Sequence, residues 1–177
     1  MKRLAGKLAA AVAAGLTLGV AAFGFTPAAH AEDPAFLSLS AGYFDIIDNE
    51  HSGASFWAEY RDDHRFWIFK PMAGAMVVSH GEMYGYAGVL VDIYFGRRWV
   101  LTPSFAPGLY WKGNSDDPKD LGNTIEFRSQ LELSYRFDDR SRLGIGFNHM
   151  SNASLGDRNP GVENLFLTYS IPLGGGK

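Results

Sequence analysis

Hydrophobic and polar residues alternate along much of this chain, and the alternation is longest between residues 124 and 137. The apolar positions there are Ile125, Phe127, Leu131, Leu133, Tyr135 and Phe137. The polar positions between them are Glu126, Arg128, Gln130, Glu132, Ser134 and Arg136. Because side chains two residues apart in a β-strand point the same way, this segment predicts a long strand with one apolar face. A membrane barrel places such a face against lipid and encloses the polar face.

The same alternation recurs more weakly elsewhere and gives eight predicted strands. They cover residues 37–43, 55–61, 66–79, 83–95, 98–112, 124–137, 141–150 and 162–172. We therefore predict an all-β fold, an eight-stranded antiparallel transmembrane β-barrel of the outer membrane. Pro71, Pro103 and Pro107 fall inside predicted strands and cannot donate a ladder hydrogen bond, so we expect β-bulges at these positions.

The connections between the predicted strands alternate between short and longer segments. The short polar ones are Asp62–His64, Gly96–Arg98 and Asp138–Arg140, as periplasmic turns should be. The others, mostly longer, are residues 47–54, 79–83, 112–123 and 150–161. If both termini are periplasmic, these four connections face the outside of the cell.

The first 31 residues have the features of a secretory signal peptide. Lys2 and Arg3 make a basic start, an apolar stretch follows, and Ala29-His30-Ala31 matches a small-residue cleavage site. We expect cleavage after Ala31, which leaves residues 32–177 as one transmembrane β-barrel catalytic domain. No apolar run of 18 residues follows, so a transmembrane helix is not expected.

Composition excludes several classes of function. The chain has no cysteine, which excludes disulfide staples, thiolate chemistry and cysteine-ligated metals. The formal net charge of −3 is too small to indicate a nucleic-acid partner, and no basic run is present. His51, His64 and His80 lack the spacing of metal ligands.

Three residues suited to hydrolysis interrupt the apolar faces of the last two predicted strands. Odd-numbered positions are apolar in both strands, as Leu143 and Leu165 illustrate, and His149, Ser151 and Glu163 are also odd-numbered. We therefore expect all three on the lipid-facing wall, where charge is costly at depth. They flank the last outer connection, so they should lie near the outer leaflet, within reach of an ester carried by a lipid.

These three residue types match the parts of a covalent ester hydrolysis. Ser151 would attack the ester carbonyl, His149 would take its proton, and Glu163 would orient the imidazole. Each residue also has a simpler interpretation: His149 as an interfacial polar residue, Ser151 as the start of a turn, and Glu163 as a solvated group at the membrane rim. The combination on one lipid-facing wall favours the enzyme.

A tetrahedral intermediate at Ser151 would also need hydrogen-bond donors for its oxyanion. The side chains of Asn159 or Asn152 could supply them, as could main-chain amides near Ser154.

About 25 residues near the carboxyl end resemble the outer-membrane lipid A 3-O-deacylases, the PagL family. The resemblance rests on the segments His149-Met150-Ser151-Asn152-Ala153-Ser154-Leu155, Asn159-Pro160-Gly161-Val162-Glu163 and Tyr169-Ser170-Ile171-Pro172. It implies an eight-stranded barrel with a Ser-His-Glu triad that hydrolyses the ester-linked 3-hydroxyacyl chain at position 3 of lipid A.

By this resemblance Ser151 is the nucleophile, His149 the base and Glu163 its orienting partner. The resemblance also implies that Asn159 is an oxyanion-hole donor, with Asn152 in support. At position 154 this chain has serine where glycine is expected in relatives. This difference affects the expected backbone geometry of the loop more than the expected activity. The resemblance implies no metal and no cofactor, and the expected partners are lipopolysaccharide and the outer membrane. We also consider a homodimer.

Two other interpretations of the sequence stay open. One is a non-enzymatic eight-stranded barrel that serves adhesion or membrane integrity. The other is a soluble periplasmic barrel that binds a small apolar ligand, which would require the apolar faces to point inward and Glu126, Arg128, Glu132 and Arg136 to cover the outside.

Overall fold

The computed structural model describes residues 33–114 and 118–174, and the strand segments in them close into one barrel. The strands are β1 (Ala35–Phe44), β2 (Gly53–Arg61), β3 (Lys70–Val78), β4 (Met83–Leu90), β5 (Ile93–Phe95), β6 (Trp99–Trp111), β7 (Ile125–Arg136), β8 (Arg142–Ser151) and β9 (Val162–Leu173). Every pairing is antiparallel, and the pairing of β4 with β6 closes the sheet. The predicted signal peptide and its cleavage site lie outside the described residues.

The barrel has eight strand positions, as predicted, because β4 and β5 together occupy one of them. Both pair with β6, and the register is the same on either side of the interruption at Val91 and Asp92. Val91 donates its amide hydrogen to the Pro103 carbonyl, but Pro103 has no hydrogen to return. The single strand predicted over residues 83–95 is therefore split where one ladder bond is missing.

The expected bulges at the prolines are absent from the described strands. Pro71 pairs with Val89 in an uninterrupted register, and Pro103 and Pro107 keep the register between β6 and β7. A bulge requires an extra residue on one strand. The barrel instead tolerates the missing hydrogen bonds without inserting a residue.

The inside of the barrel holds the buried charged residues beside a cluster of apolar and aromatic side chains, whereas the outside is apolar, as the predicted alternation requires. Odd positions of β8 and β9, such as Ile145 and Leu167, are mostly exposed, whereas even positions are mostly buried. Inward-facing charges pair with each other: Arg61 binds Glu132 at 2.6 Å and Arg128 binds Glu59 at 2.7 Å. The outward apolar faces contradict the alternative of a soluble barrel with an apolar interior.

The two ends of the barrel differ. The loop end carries residues 45–52, 79–82, 112–114, 118–124 and 152–161, and the turn end carries residues 62–69, 96–98 and 137–141. The strand predicted to begin at residue 66 begins at Lys70, because Phe66 and Phe69 exchange two backbone hydrogen bonds around Trp67 and Ile68. The described residues contain no helix long and apolar enough to cross a membrane.

Candidate active site

His149 and Glu163 form a hydrogen-bonded pair on the outward face of the barrel, near the loop end. They are direct cross-strand partners on β8 and β9. The imidazole Nδ1 lies 2.8 Å from Glu163 Oε1, and the two side chains are 37% and 18% exposed. A carboxylate at this distance makes Nδ1 the protonated nitrogen and leaves Nε2 able to accept a proton. The pair therefore has the arrangement of a general base and its orienting carboxylate.

Ser151 lies two residues beyond His149 on the same outward face and ends β8. It is partly exposed and faces Phe127 across the β7–β8 pairing. Its hydroxyl forms no hydrogen bond within the described part of the chain. The structure thus joins His149 to Glu163 by a hydrogen bond and gives Ser151, on the same face, no hydrogen bond to the base. In enzymes without substrate such a contact is often long and shortens when substrate binds.

Gly161 lies directly against the His149 ring. It has a φ of 71°, and a Cβ added to it would lie 2.9 Å from His149 Cε1 and 3.6 Å from Nε2. Glycine adopts this left-handed conformation at little cost and leaves room for the ring. The sequence indicated Gly161 only as part of a turn, and its contact with the base is visible only in the structure.

The loop at residues 152–161 orders the predicted oxyanion residues. Asn159 Oδ1 accepts the main-chain hydrogen of Asn152 at 2.9 Å, which leaves the Asn159 Nδ2 group free to donate. Asn152 is fully buried and donates both Nδ2 hydrogens, to the carbonyls of Leu121 and Arg158 at 2.8 Å each. Asn152 therefore supports the loop and has no side-chain hydrogen left for an oxyanion, which corrects the part of our prediction that offered it as a donor.

Ser154 occupies a conformation that favours glycine. Its φ is 64°, and Ala153 before it has a φ of 52°. The two residues turn the chain directly after Asn152, where Leu155 donates its amide hydrogen to the Asn152 carbonyl at 3.0 Å. Ser154 is exposed, so its main-chain amide stays a candidate donor at the surface beside Ser151. The departure from the glycine expected in relatives thus falls at a residue with positive φ.

Neighbouring loops hold this loop in place. The Asn152 bond to Leu121 links it to residues 118–124, and a Cβ on Gly122 would lie 2.3 Å from the Arg158 carbonyl oxygen. Buried Lys119 then binds Asp45 at 2.9 Å, which connects the same segment to residues 45–52. The loop end is therefore a network of contacts between loops, and the candidate site is built on it.

One cluster in the described residues has atoms placed to bind a metal, and it lies at the other end of the barrel. Asp62, Asp63 and His64 place one ligand atom each within 4.8 Å of one another. The hydrogen bond that the exposed His64 ring donates to the Asp62 carboxylate raises the pKa of the ring above its usual value. This turn is separated from His149 by the length of β8, so it takes no part in the candidate active site.

Solved structures share this architecture. The crystal structure of the outer membrane enzyme PagL superimposes with a TM-score of 0.63 and 18% identity, over 78% of this chain and 99% of that chain. Neisserial surface protein A superimposes with a TM-score of 0.55 and 10% identity, over 78% and 96% of the two chains. At these identities the likeness shows the fold alone.

Sequence comparison identifies the family as well as the fold. The lipid A deacylase PagL of Bordetella bronchiseptica is 25% identical over 75 residues, which are 42% of each chain. The lipid A deacylase PagL of Pseudomonas aeruginosa is 29% identical over 63 residues, which are 36% of each chain. The alignments therefore span less than half of these relatives. The family model for lipid A 3-O-deacylase (PagL) matches residues 39–172, which include the whole candidate site. This chain belongs to the PagL family of lipid A 3-O-deacylases.

Proposed function

We propose that this protein is an esterase of the outer membrane that removes the 3-hydroxyacyl chain from position 3 of lipid A. The observation that carries the proposal is the His149–Glu163 hydrogen bond on the outward wall, with Ser151 beside it on the same face. A barrel that served only adhesion or membrane integrity would have no use for a base, a carboxylate and a hydroxyl together on that wall.

In the proposed reaction, Ser151 Oγ attacks the ester carbonyl carbon while His149 Nε2 takes its proton. Glu163 stabilises the resulting imidazolium through the Nδ1 hydrogen bond. The tetrahedral intermediate then expels the sugar oxygen, which receives the proton from His149. Water, deprotonated by the same nitrogen, releases the fatty acid from the acyl-serine and restores the enzyme.

Asn159 is the proposed side-chain donor to the oxyanion. Its Oδ1 is held by the Asn152 amide, so its Nδ2 group is oriented by a hydrogen bond before substrate binds. The Ser154 main-chain amide is the second proposed donor. Donors that are fixed in advance are worth more than mobile ones, because they need no reorganisation during the reaction.

The proposed location rests on the connections, which are mostly longer at the end of the barrel that carries the triad. We infer that residues 1–31 are a signal peptide cleaved after Ala31, that residues 32–177 form the catalytic domain, and that the loop end faces the outside. The triad then lies at the level of the outer leaflet, where lipid A carries its esters. All of these residues belong to one chain, so the chemistry itself requires no homodimer, and it requires neither a metal nor a cofactor.

Mass spectrometry of lipid A tests the proposal. The detergent-refolded protein should remove one 3-hydroxyacyl group, and the Ser151→Ala variant should remove none while keeping the heat-modifiable gel migration of a folded barrel. An unchanged lipid A mass with folded wild-type protein would favour the non-enzymatic barrel. Full activity of Ser151→Ala would instead refute the assignment of the nucleophile.

A further inference from the structure

Polar side chains are rare on the outward wall of this barrel, and they lie together. Apart from aromatic residues, only four outward positions of the described strands carry a polar side chain. They are Ser129, His149, Ser151 and Glu163. Three of them form the proposed triad, and the fourth, Ser129, has no role in the mechanism. A hydroxyl on a lipid-facing wall calls for a physical explanation, since it loses its water there.

Ser129 is the direct cross-strand neighbour of His149. The two residues are partners in the β7–β8 pairing, and Ser129 is exposed on the outward face. Its hydroxyl has no hydrogen-bond partner among the residues that the structure describes. Directly opposed side chains on paired strands lie within reach of each other and of the same ligand. A molecule bound at His149 would therefore meet the Ser129 hydroxyl.

The residues that neighbour Ser129 on the outward face carry larger side chains than serine. Phe105 is the direct partner of Ser129 on β6, and its ring stacks on that of Phe127, two residues before Ser129 on β7, with the ring centroids 6.0 Å apart. His149 and Phe147 lie on the other side, on β8. An acyl chain that leaves an ester at Ser151 and runs toward the middle of the membrane along β7 and β8 has Ser129 beneath its first carbons.

The distance between the two serines identifies which part of the acyl chain Ser129 meets. Ser129 lies two residues along from Phe127, the partner of Ser151, so the two Cα atoms are about 8 Å apart from strand rise and spacing. A carbonyl carbon in attack position lies about 3 Å from Ser151 Oγ. Two further carbons and an oxygen span about 4 Å, which brings a hydroxyl on the third carbon within hydrogen-bond distance of Ser129.

We propose that Ser129 is a substrate-binding residue that recognises a hydroxyl on the third carbon of the acyl chain, and so selects 3-hydroxyacyl esters over plain acyl esters. This inference rests on the proposed esterase function. It adds a selectivity for the acyl chain that the triad alone does not supply, because Ser151, His149 and Glu163 act only on the ester.

A pair of synthetic substrates tests the inference. Both are glucosamine 3-O-esters in detergent micelles, one with a 3-hydroxytetradecanoyl chain and one with a tetradecanoyl chain. Wild type should have a kcat/KM about three- to tenfold higher for the hydroxylated ester, the range expected of one neutral hydrogen bond. Ser129→Ala should hydrolyse the plain ester normally and lose the preference. Ser129→Thr, which keeps a hydroxyl, should retain much of it.

The outcomes separate this inference from the function on which it rests. If wild type hydrolyses neither ester, the proposed function fails and the inference fails with it. An equal preference in wild type and Ser129→Ala would leave the esterase in place and overturn the role of Ser129. Loss of activity toward both esters in a folded Ser129→Ala variant would also overturn it, because Ser129 would then act in the reaction itself.

Discussion

Replacing Gly161 by alanine should impair the base without unfolding the barrel. The new Cβ would lie 2.9 Å from His149 Cε1, whereas non-bonded carbons prefer about 3.5–4.0 Å. The ring must therefore move by at least about 0.6 Å. The ring is the far end of a side chain on the outer wall, so it can shift where the backbone cannot. A displacement approaching 1 Å at a catalytic group can lower the rate by about 10²-fold.

We expect Gly161→Ala to reduce kcat by about 10- to 100-fold and to leave KM nearly unchanged, because the ring serves proton transfer more than binding. The φ of 71° adds backbone strain of about 1 kcal/mol for any residue with a Cβ. Gly96→Ala is the matched control, since Gly96 has a φ of 65° and no atom within 4 Å of an added Cβ.

The assay is the release of fatty acid from lipid A micelles, measured as kcat and KM for both variants beside wild type. Heat-modifiable gel migration reports whether each barrel is folded. Gly96→Ala should share the backbone strain and keep full activity. If Gly161→Ala has the same kcat as Gly96→Ala, the contact between Gly161 and the His149 ring has no catalytic consequence and the reasoning is refuted.

Two further predictions concern the loop at residues 152–161. Asn159→Asp keeps the oxygen that accepts the Asn152 amide hydrogen but removes the proposed oxyanion donor. In a folded barrel kcat should therefore fall by about 10²–10³-fold. A kcat close to that of wild type would exclude Asn159 from the oxyanion hole. Ser154→Gly should relieve about 1 kcal/mol of backbone strain from the left-handed conformation at this residue. The apparent melting temperature, measured from heat-modifiable gel migration over a temperature series, should therefore rise by a few degrees. An unchanged or lower melting temperature would argue against strain at Ser154.

Much of the fold was predictable because the strands of a membrane barrel alternate between lipid-facing and interior residues, and the sequence shows this period of two. The parity of β7 to β9 and the eight strand positions follow from that period. The lengths of the connections do not, because the turn predicted at Asp62–His64 covers residues 62–69 and the outer connection after β3 covers only residues 79–82. The turn at Trp67 and Ile68 was missed because four apolar residues in a row resemble a strand, while the reversal depends on two backbone hydrogen bonds. The bulges expected at Pro71 and Pro103 were wrong because the sheet tolerates a missing bond more readily than a change of register.

Some residues of the candidate site were predictable from this period, and others were not. His149, Ser151 and Glu163 were predictable because each interrupts an apolar parity, and Ser129 leaves the same kind of gap among the apolar positions of β7. The roles of Gly161 and Asn152 were not predictable, because they depend on loops that meet only in space. Leu121 is 31 positions away from the Asn152 side chain that binds its carbonyl. The alternation of apolar and polar residues contains no information about such a contact between loops.

The occupied interior of the barrel explains why this chemistry lies on the outside. Arg61, Arg128, Glu59 and Glu132 are buried and paired, so the lumen at their level holds side chains instead of a ligand. An acyl chain placed there would have to separate buried ion pairs, and an unpaired buried charge is costly. The outer wall offers the opposite environment, because lipid already solvates an acyl chain beside Phe105 and Phe147. An ester at the membrane surface can therefore reach Ser151 without leaving the lipid phase, and only its polar atoms need partners from the protein.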